Sequence, residues 1–393
     1  MKYEYVLETK DLAYIYAGNK KPSLEEVSIK IKRGVKTVLL GANGAGKSTL
    51  FYHFNGVFKP TSGVVEYEGE SLNYRKKALK GLRSEVAVVL QNPDDQIFCS
   101  TVEEDVAFGP RNLGLSEKEV EARVENALFQ TGMMMLRKQG TLRLSYGQRK
   151  RLALAGAIAM NPKVLIMDEP TAGLDPQMAQ EVMELADQLH HCGTTVVIST
   201  HDVDLAYAWA DEIHVLRKSR LIYSGTSEGF YFDAKLVHTV GLMPPSMFSI
   251  NQNYESMICG NGLPYPRTLS ELVSKMTTVR VVPGKLYVVS VSDSLTQGDI
   301  DSILSESGTA HIGIFGTGAR KIIFKSRLSS DFVFNGIDNC LMDAVRGRNS
   351  ILCCEDRYTG MVLDRVERLK EFGTDVEVQL IFPKSVSKDK NED

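Results

Sequence analysis

The sequence predicts an α/β protein with more than one domain, and three observations lead to that prediction. Short runs of β-branched and other apolar residues alternate with stretches of helical periodicity between residues 35 and 216. A glycine-rich loop, residues 41–48, stands between one of these predicted strands and a predicted helix. The length of 393 residues corresponds to roughly two or three domains at about 150 residues each.

Composition narrows the class of protein. Hydrophobic residues make up 43% of the chain and charged residues 24%, which is typical of a folded globular protein and excludes intrinsic disorder. The net charge of -3 offers no overall positive field for nucleic acid, so we expect no nucleic-acid partner. No run approaches the roughly 20 apolar residues of a membrane-spanning helix, and the start has no leader pattern, which predicts a cytosolic chain. None of the six cysteines forms a C-x-x-C pair, so reduced thiols are expected.

The predicted strands of the first two-thirds are apolar runs at residues 35–40, 85–90, 164–167, 194–199 and 212–216. A helix is predicted to begin after Ser116, which would cap it while Glu119 reaches back to form a capping box. Val120, Val124 and Leu128 then fall on one face, which predicts that this face is buried.

The loop at residues 41–48 reads Gly-Ala-Asn-Gly-Ala-Gly-Lys-Ser and fits the pattern G-x-x-x-x-G-K-[ST] in the required setting between strand and helix. Glycines let backbone N–H groups approach phosphate oxygens, and the following helix presents its positive end. Lys47 would neutralise the β- and γ-phosphates, and Ser48 would place its hydroxyl on Mg²⁺. The alternative is a glycine-rich turn that matches by accident. The predicted phosphate-binding residues are Asn43, Gly44, Gly46, Lys47, Ser48 and Thr49.

A second group of candidate residues follows the apolar strand at residues 164–167. Asp168 would lie at the carboxyl end of that strand, where ligands gather in open α/β sheets, and would orient Mg²⁺. Glu169 is the candidate general base for an attacking water. In isolation, an Asp-Glu pair here is more often a strand meeting solvent, and the phosphate loop is what favours the functional interpretation.

Residues 144–148 read Leu-Ser-Tyr-Gly-Gln, and with the two motifs above they resemble the nucleotide-binding subunit of ABC transporters over about residues 5–240. The resemblance implies a P-loop ABC ATPase fold with a mixed sheet and a helical signature subdomain. It also implies a dimer that holds two ATP molecules, in which Ser145, Gly147 and Gln148 contact the ATP of the other subunit. Tyr146 departs from the usual Gly, and the alternative interpretation of this motif is a turn with a helix cap.

Three further residues are assigned through the same resemblance. Gln91 resembles the glutamine that contacts Mg²⁺ or water, His201 the histidine that binds the γ-phosphate, and Asp175 the aspartate that communicates across the dimer. Their alternatives are a solvated loop residue, a helix cap and a turn former, respectively. Tyr16 is placed to stack on adenine, or is a simple strand aromatic like Tyr14.

Residues 91–98 and 101–110 resemble the ATPases of energy-coupling-factor importers, especially the cobalt/nickel branch. This resemblance implies ATP and Mg²⁺ as cofactors, and cobalt, nickel or a vitamin as cargo. It further implies a place at the cytoplasmic face of the membrane beside a transmembrane coupling protein and a substrate-binding membrane component. The second ATPase subunit would be an identical or a related chain. Contact candidates are Ile97, Phe98, Val102 and Phe108, with intradomain core as the alternative.

Two rival functions remain at this stage. A soluble ABC ATPase acting on nucleic acid or ribosomes is disfavoured by the charge, the lack of coiled-coil heptads and the single cassette. An ATP-regulated binding module without hydrolysis is disfavoured by Glu169.

The last third of the sequence predicts a separate linker and domain after the ATPase domain. We expect the ATPase domain over residues 1–240, a linker with a small accessory element over 241–280, an α/β domain over 281–383 and a charged tail over 384–393. Within the third segment, strands are predicted at 285–291, 311–315, 321–325, 350–354 and 375–381, and helices at 298–306, 337–345 and 360–372. Residues 316–318, Gly-Thr-Gly, are a candidate ligand turn or a plain turn, and Cys353-Cys354 is predicted to be core. A regulatory role for this domain is a hypothesis.

Overall fold

The computed structural model describes residues 4–277, 281–291, 297–308, 311–326 and 328–382. The chain divides into two compact units, residues 1–249 and 250–393. The tail predicted at 384–393 lies outside the described residues.

The N-terminal unit alternates strands and helices along its length. Its strands are β1 (Tyr5–Tyr14), β2 (Leu24–Lys32), β3 (Thr37–Leu40), β4 (Ser62–Tyr67), β5 (Glu70–Ser71), β6 (Val86–Val89), β7 (Val164–Asp168), β8 (Thr195–Thr200), β9 (Glu212–Arg217) and β10 (Arg220–Gly225). Its helices are α1 (Lys47–Phe54), α2 (Lys76–Glu85), α3 (Val102–Leu113), α4 (Glu117–Gln130), α5 (Tyr146–Ala159), α6 (Pro176–His191), α7 (Val203–Trp209), α8 (Ser227–Phe232) and α9 (Ala234–Val240).

The central sheet has the order β10-β9-β3-β8-β7-β6, in which only β10 runs antiparallel to its neighbour. Strands β3, β7 and β8 are buried along their whole length, which explains their nearly continuous apolar runs. Since β3, β7 and β8 are parallel neighbours, the loops after them meet at one edge of the sheet. This edge carries the phosphate loop, Asp168 and His201.

A second sheet is antiparallel and has the order β2-β1-β4-β5. None of its four strands was predicted from the sequence. Strand β2 does carry the pattern that predicts such a strand. Val27, Ile29 and Ile31 are buried in alternation with exposed Ser28 and Lys30.

A helical subdomain forms where α3, α4 and α5 pack on one another. The predicted capping box of α4 is present, because the Ser116 hydroxyl accepts from the Glu119 backbone while the Glu119 carboxylate accepts from Ser116. Arg137 joins two of these helices through Glu103 at 2.5 Å and Glu121 at 2.6 Å.

The C-terminal unit is also α/β. Its strands are β11 (Leu286–Ser290), β12 (His311–Phe315), β13 (Ser350–Cys354) and β14 (Val378–Ile381), which form a parallel sheet of order β12-β13-β11-β14. Helices α10 (Ser246–Met257), within which the chain divides, and α11 (Leu269–Met276) precede this sheet. The other helices are α12 (Gln297–Ser307), α13 (Thr317–Lys325), α14 (Gly336–Val345) and α15 (Thr359–Lys370).

The strand predicted at residues 321–325 is wrong, because this segment belongs to helix α13. Ala319 and Ile323, four residues apart, are both fully buried on one helix face. A short β-branched run does not distinguish a strand from a buried turn of helix. Cys353 and Cys354 are buried as predicted, and burial raises the pKa of each thiol.

Candidate nucleotide site

The phosphate loop follows β3 and ends where α1 begins at Lys47. Gly46 has φ +108°, and a Cβ atom there would lie 2.6 Å from the backbone oxygen of Ser23. Only glycine satisfies both requirements, the left-handed backbone and the close approach. The loop pattern read from the sequence therefore has a steric cause in this fold.

The Lys47 ammonium lies inside the loop and is only 6% exposed. Its Nζ donates to the Gly41 carbonyl at 2.6 Å and lies 3.1 Å from Glu169 Oε1. A buried ammonium needs such acceptors, since an unpaired buried charge is costly. The side chain is thus held at the floor of the loop by groups of the protein.

A cleft of about 360 Å³ opens beside this lysine. It contains every residue assigned to phosphate or adenine binding from the first third of the chain, together with Gln91 and both carboxylates. Its lining residues are Tyr16, Ser23, Asn43, Gly44, Gly46, Lys47, Ser48, Thr49, Gln91, Asp168 and Glu169.

The neighbouring strand β8 holds the Asp168 carboxylate and the Glu169 backbone at the end of β7. Asp168 Oδ1 accepts a hydrogen bond from the Ser199 hydroxyl. The Glu169 backbone N–H donates to the Ser199 hydroxyl at 3.0 Å and to its carbonyl at 3.2 Å. Ser199 was not among the predicted site residues, because only the pairing of β7 with β8 brings it to Asp168.

Glu169 is buried, with its carboxylate between two cationic or protonatable side chains. Oε1 lies 3.1 Å from Lys47 Nζ, and Oε2 lies 2.9 Å from His201 Nδ1. Its backbone is left-handed, with φ +46°, which is uncommon for a residue other than glycine. The carboxylate therefore faces the phosphate loop rather than solvent.

Lys150 of α5 is a further buried ammonium in this region and was not predicted. Its Nζ donates to the carbonyls of Glu169 at 3.0 Å, Pro170 at 3.2 Å and Ala172 at 2.7 Å. Burial lowers its pKa to about 8. Its sequence signal is weak, because a lysine two residues after Gln148 reads as part of a basic run on a helix.

Tyr16 lies at the edge of the cleft, on the loop after β1. Its hydroxyl is 3.1 Å from Thr49 Oγ1, and its ring makes edge contacts with Tyr14 and Phe58. The phenol thus packs in an aromatic cluster and also lines the cleft.

The signature residues lie at the start of α5, outside the residues lining the cleft of the same chain. Ser145 is the N-cap: its hydroxyl accepts from the Gln148 backbone at 3.3 Å, and its own N–H donates to Gln148 Oε1 at 2.9 Å. Gly147 is buried, and a Cβ atom there would lie 2.2 Å from Met178 Sδ.

Asp175 caps α6 by accepting from the Met178 backbone at 2.8 Å. This local role of Asp175 is a helix cap, whereas the alternative considered from the sequence was a turn former. The helix cap considered for His201 is wrong, because Asp202 caps α7.

The segment after Gln91 exposes apolar side chains. Phe98 is 63% exposed and Phe108 45% exposed, and their rings meet edge to face at 4.4 Å between centroids. Ile97 is half-buried. Val102 is fully buried and is therefore core rather than a contact residue, which corrects its assignment.

No helix in the described part of the chain is both long and apolar enough to cross a membrane.

Comparison with known proteins agrees with this fold and site. The family described as ABC transporter matches residues 24–172. The energy-coupling factor transporter ATP-binding protein EcfA2 of Methanospirillum hungatei is 37% identical over 382 residues, covering 94% of each chain. EcfA of Methanosphaera stadtmanae is 45% identical over 276 residues, covering 70% of this chain and 98% of its own.

Two solved structures are similar to the N-terminal unit. The cbiO1 protein of Clostridium perfringens, described as part of the ABC transporter complex cbiONQ, has a TM-score of 0.53 and 40% identity over 61% of this chain and 95% of its own. The ATP-binding cassette MJ0796, solved as a dimer bound to ADP and Pi, has a TM-score of 0.52 and 27% identity over 57% of this chain and 100% of its own.

Fold, cleft and comparisons define an ATPase of the ABC class, as the sequence predicted. The chain belongs to the family of energy-coupling factor transporter ATP-binding proteins. The names of these relatives favour the transporter ATPase over the nucleic-acid and ribosome alternative.

Proposed function

We propose that this chain energises the import of cobalt, nickel or a vitamin by coupling ATP-driven dimer closure to a membrane partner. The observation that carries the proposal is the similarity to EcfA2 over 94% of both chains, and the nucleotide cleft of the N-terminal unit agrees with it. The likeness to cbiO1, described as part of the ABC transporter complex cbiONQ, supports a place for this chain in a transporter complex.

In the proposed reaction, the phosphate loop binds the triphosphate of ATP through Asn43, Gly44, Gly46 and Thr49, and Lys47 offsets its charge. Tyr16 stacks on the adenine. Glu169 accepts the proton of the attacking water, and His201 binds the γ-phosphate. All of these groups except His201 line one cleft, and His201 contacts Glu169, so catalysis would rest on orientation and on charge stabilisation.

The donors present fit Mg²⁺. The Ser48 hydroxyl, the Gln91 amide oxygen and the Asp168 carboxylate all line the cleft, and hard oxygen ligands with nucleotide phosphates are what this ion prefers. The bound ion would offset charge on the phosphates. Asp168 is held for this role by the Ser199 hydroxyl.

The second half of each site would come from another ATPase subunit, identical or related. Ser145, Gly147 and Gln148 stand at the first turn of α5, where backbone N–H groups and the helix dipole favour an anion. Asp175, at the start of α6, would communicate across the same interface. We therefore place two ATP molecules between two chains.

The exposed pair Phe98 and Phe108 is the proposed contact with the transmembrane coupling protein, which works with a substrate-binding membrane component at the cytoplasmic face. Exposed aromatic pairs of this kind are enriched at protein interfaces. The pair lies in the segment that follows the cleft residue Gln91, so movement at the nucleotide would reach the partner directly.

A Phe98→Ser variant tests this contact. We expect at least a 10-fold loss of membrane protein co-purified with the tagged chain, because an aromatic hot-spot residue at an interface is worth about 2 kcal/mol or more, with ATP binding unchanged. Val57→Ser is the matched control, since Val57 is an exposed apolar residue, 48% exposed, elsewhere on the unit. Equal recovery of membrane protein by both variants would contradict the contact, and recovery of nucleic acid or ribosomes instead would favour the alternative function.

A separate experiment identifies the cargo, namely uptake of labelled cobalt, nickel and vitamins by cells that carry the complex.

We further propose a division of the chain into four segments. They are an ATPase domain at 1–240, a linker with a small accessory element at 241–280, a regulatory domain at 281–383 and a charged tail at 384–393. The EcfA2 relative supports a role for the last third, since the similarity extends through it. A chain ending at residue 280 should keep ATP hydrolysis and lose the response of transport to cargo or metabolite supply. Unchanged transport under every supply condition would remove the regulatory role.

A further inference from the structure

Lys150 makes an unusual set of contacts for a lysine near a catalytic carboxylate. Its side-chain nitrogen, in a residue only 6% exposed, donates to three backbone carbonyls within one short segment, those of Glu169, Pro170 and Ala172. An ammonium has three N–H donors and no acceptor, so these carbonyls match its full capacity. All three donors of Lys150 therefore have backbone acceptors, and these acceptors belong to the segment that follows Asp168 in the chain.

The same segment is held on its other side by β8. The Glu169 N–H donates to the Ser199 hydroxyl and carbonyl, and the Glu169 carbonyl accepts from Lys150. Both backbone polar groups of Glu169 therefore have partners on other elements of the fold. This matters because Glu169 has φ +46°, a conformation that a non-glycine residue holds only where its surroundings enforce it.

Tyr146, four residues before Lys150 on the same helix, packs over this arrangement. Its ring centroid lies 5.8 Å from Lys150 Nζ, and a Cβ atom on Gly173 would come within 3.0 Å of the ring. Residues four apart share a helix face. The face of α5 that carries Tyr146 and Lys150 thus covers residues 169–173.

We propose that Lys150 is a positioning residue for Glu169, because it holds the carbonyls of Glu169, Pro170 and Ala172 so that the Glu169 carboxylate points into the cleft. The proposal rests on the role of Glu169 as general base given above. Lys150 itself touches no reacting atom, and its effect passes through the backbone of Glu169.

The test compares Lys150→Met and Lys150→Gln in the full chain. Methionine removes every donor, and we expect kcat for ATP hydrolysis to fall by about 10²-fold, the loss typical of a misplacement of about 1 Å. Directly measured ATP affinity should change less than two-fold. Glutamine retains two N–H donors, and we expect it to recover at least 5-fold of the lost kcat.

The matched control is Arg151→Met, which removes the next cation on α5 and its ion pair with Glu181 at 3.3 Å without touching residues 169–172. Its kcat should stay within two-fold of the unmodified chain. In a Glu169→Gln background, Lys150→Met should lower the residual kcat by less than two-fold, because a group that acts through Glu169 has nothing left to position.

Several results would overturn the proposal. They are an equal loss in Arg151→Met, a loss confined to ATP affinity, or a Lys150→Met effect that multiplies fully with that of Glu169→Gln. Failure of both Lys150 variants to fold would make the residue purely structural and would equally reject it. Normal turnover by Glu169→Gln alone is a separate result, since it rejects the base while leaving the Lys150 contacts in place.

Discussion

In a Glu169→Gln variant, we expect ATP to bind while turnover falls by roughly 10²- to 10⁴-fold, the contribution typical of a general base. Glutamine keeps the size of the side chain, so the contacts with Lys47 and His201 are altered in charge more than in shape. Steady-state hydrolysis and direct nucleotide binding measure the two effects separately.

The same variant reports on the dimer. With hydrolysis blocked and Mg-ATP saturating, equilibrium sedimentation should show paired chains, either alone or with a related ATPase subunit. Glu117→Gln, a surface carboxylate paired with Arg111, is the control and should hydrolyse ATP normally. Normal turnover by Glu169→Gln rejects this residue as the base, and single chains under every nucleotide condition reject the proposed clamp.

A Lys47→Ala variant should lose nucleotide binding, hydrolysis or both, with kcat falling by about 10²- to 10³-fold as expected when one charge-stabilising donor is removed. The reason is geometric. In this structure Nζ is held by the Gly41 carbonyl and the Glu169 carboxylate, at the point where the phosphate loop would hold the triphosphate. The measurements are ATP affinity by titration and hydrolysis at saturating ATP.

Lys77→Ala on α2 is the control for this variant, because Lys77 is exposed and lies outside the cleft. A thermal melt of both variants separates loss of the site from loss of the fold, since removing Lys47 leaves the buried Glu169 carboxylate with one cationic neighbour fewer. Lys47→Ala with unchanged binding and turnover would contradict the assignment of the phosphate loop.

Much of the N-terminal unit follows from local pattern. The central strands are recognisable because burial on both faces demands continuous apolar runs, and α4 because Ser116 and Glu119 form its capping box. The sheet containing β2 escaped prediction although its alternation was present. Residues 321–325 were assigned to the wrong class of element, because a short apolar run of Ile-Ile-Phe between two lysines fits either a strand or a buried helical turn.

Candidate contacts were harder to predict than motifs. Phe98, Val102 and Phe108 have similar sequence signals, but Val102 is fully buried while the two phenylalanines are exposed. Exposure depends on how α3 packs against α4 and α5, and that packing is not encoded in the spacing of three apolar residues.

By itself, the sequence determined the phosphate loop, the Asp168-Glu169 pair and the family resemblance, because each is a short motif whose chemistry depends on neighbours along the chain. Only the tertiary structure decided that Ser199 holds Asp168, that Lys47 and His201 flank Glu169, and that Lys150 holds its backbone. These contacts join segments far apart in sequence. They exist because parallel strands deliver their carboxyl ends to one edge of a sheet, and because buried charges must find partners wherever the fold places them.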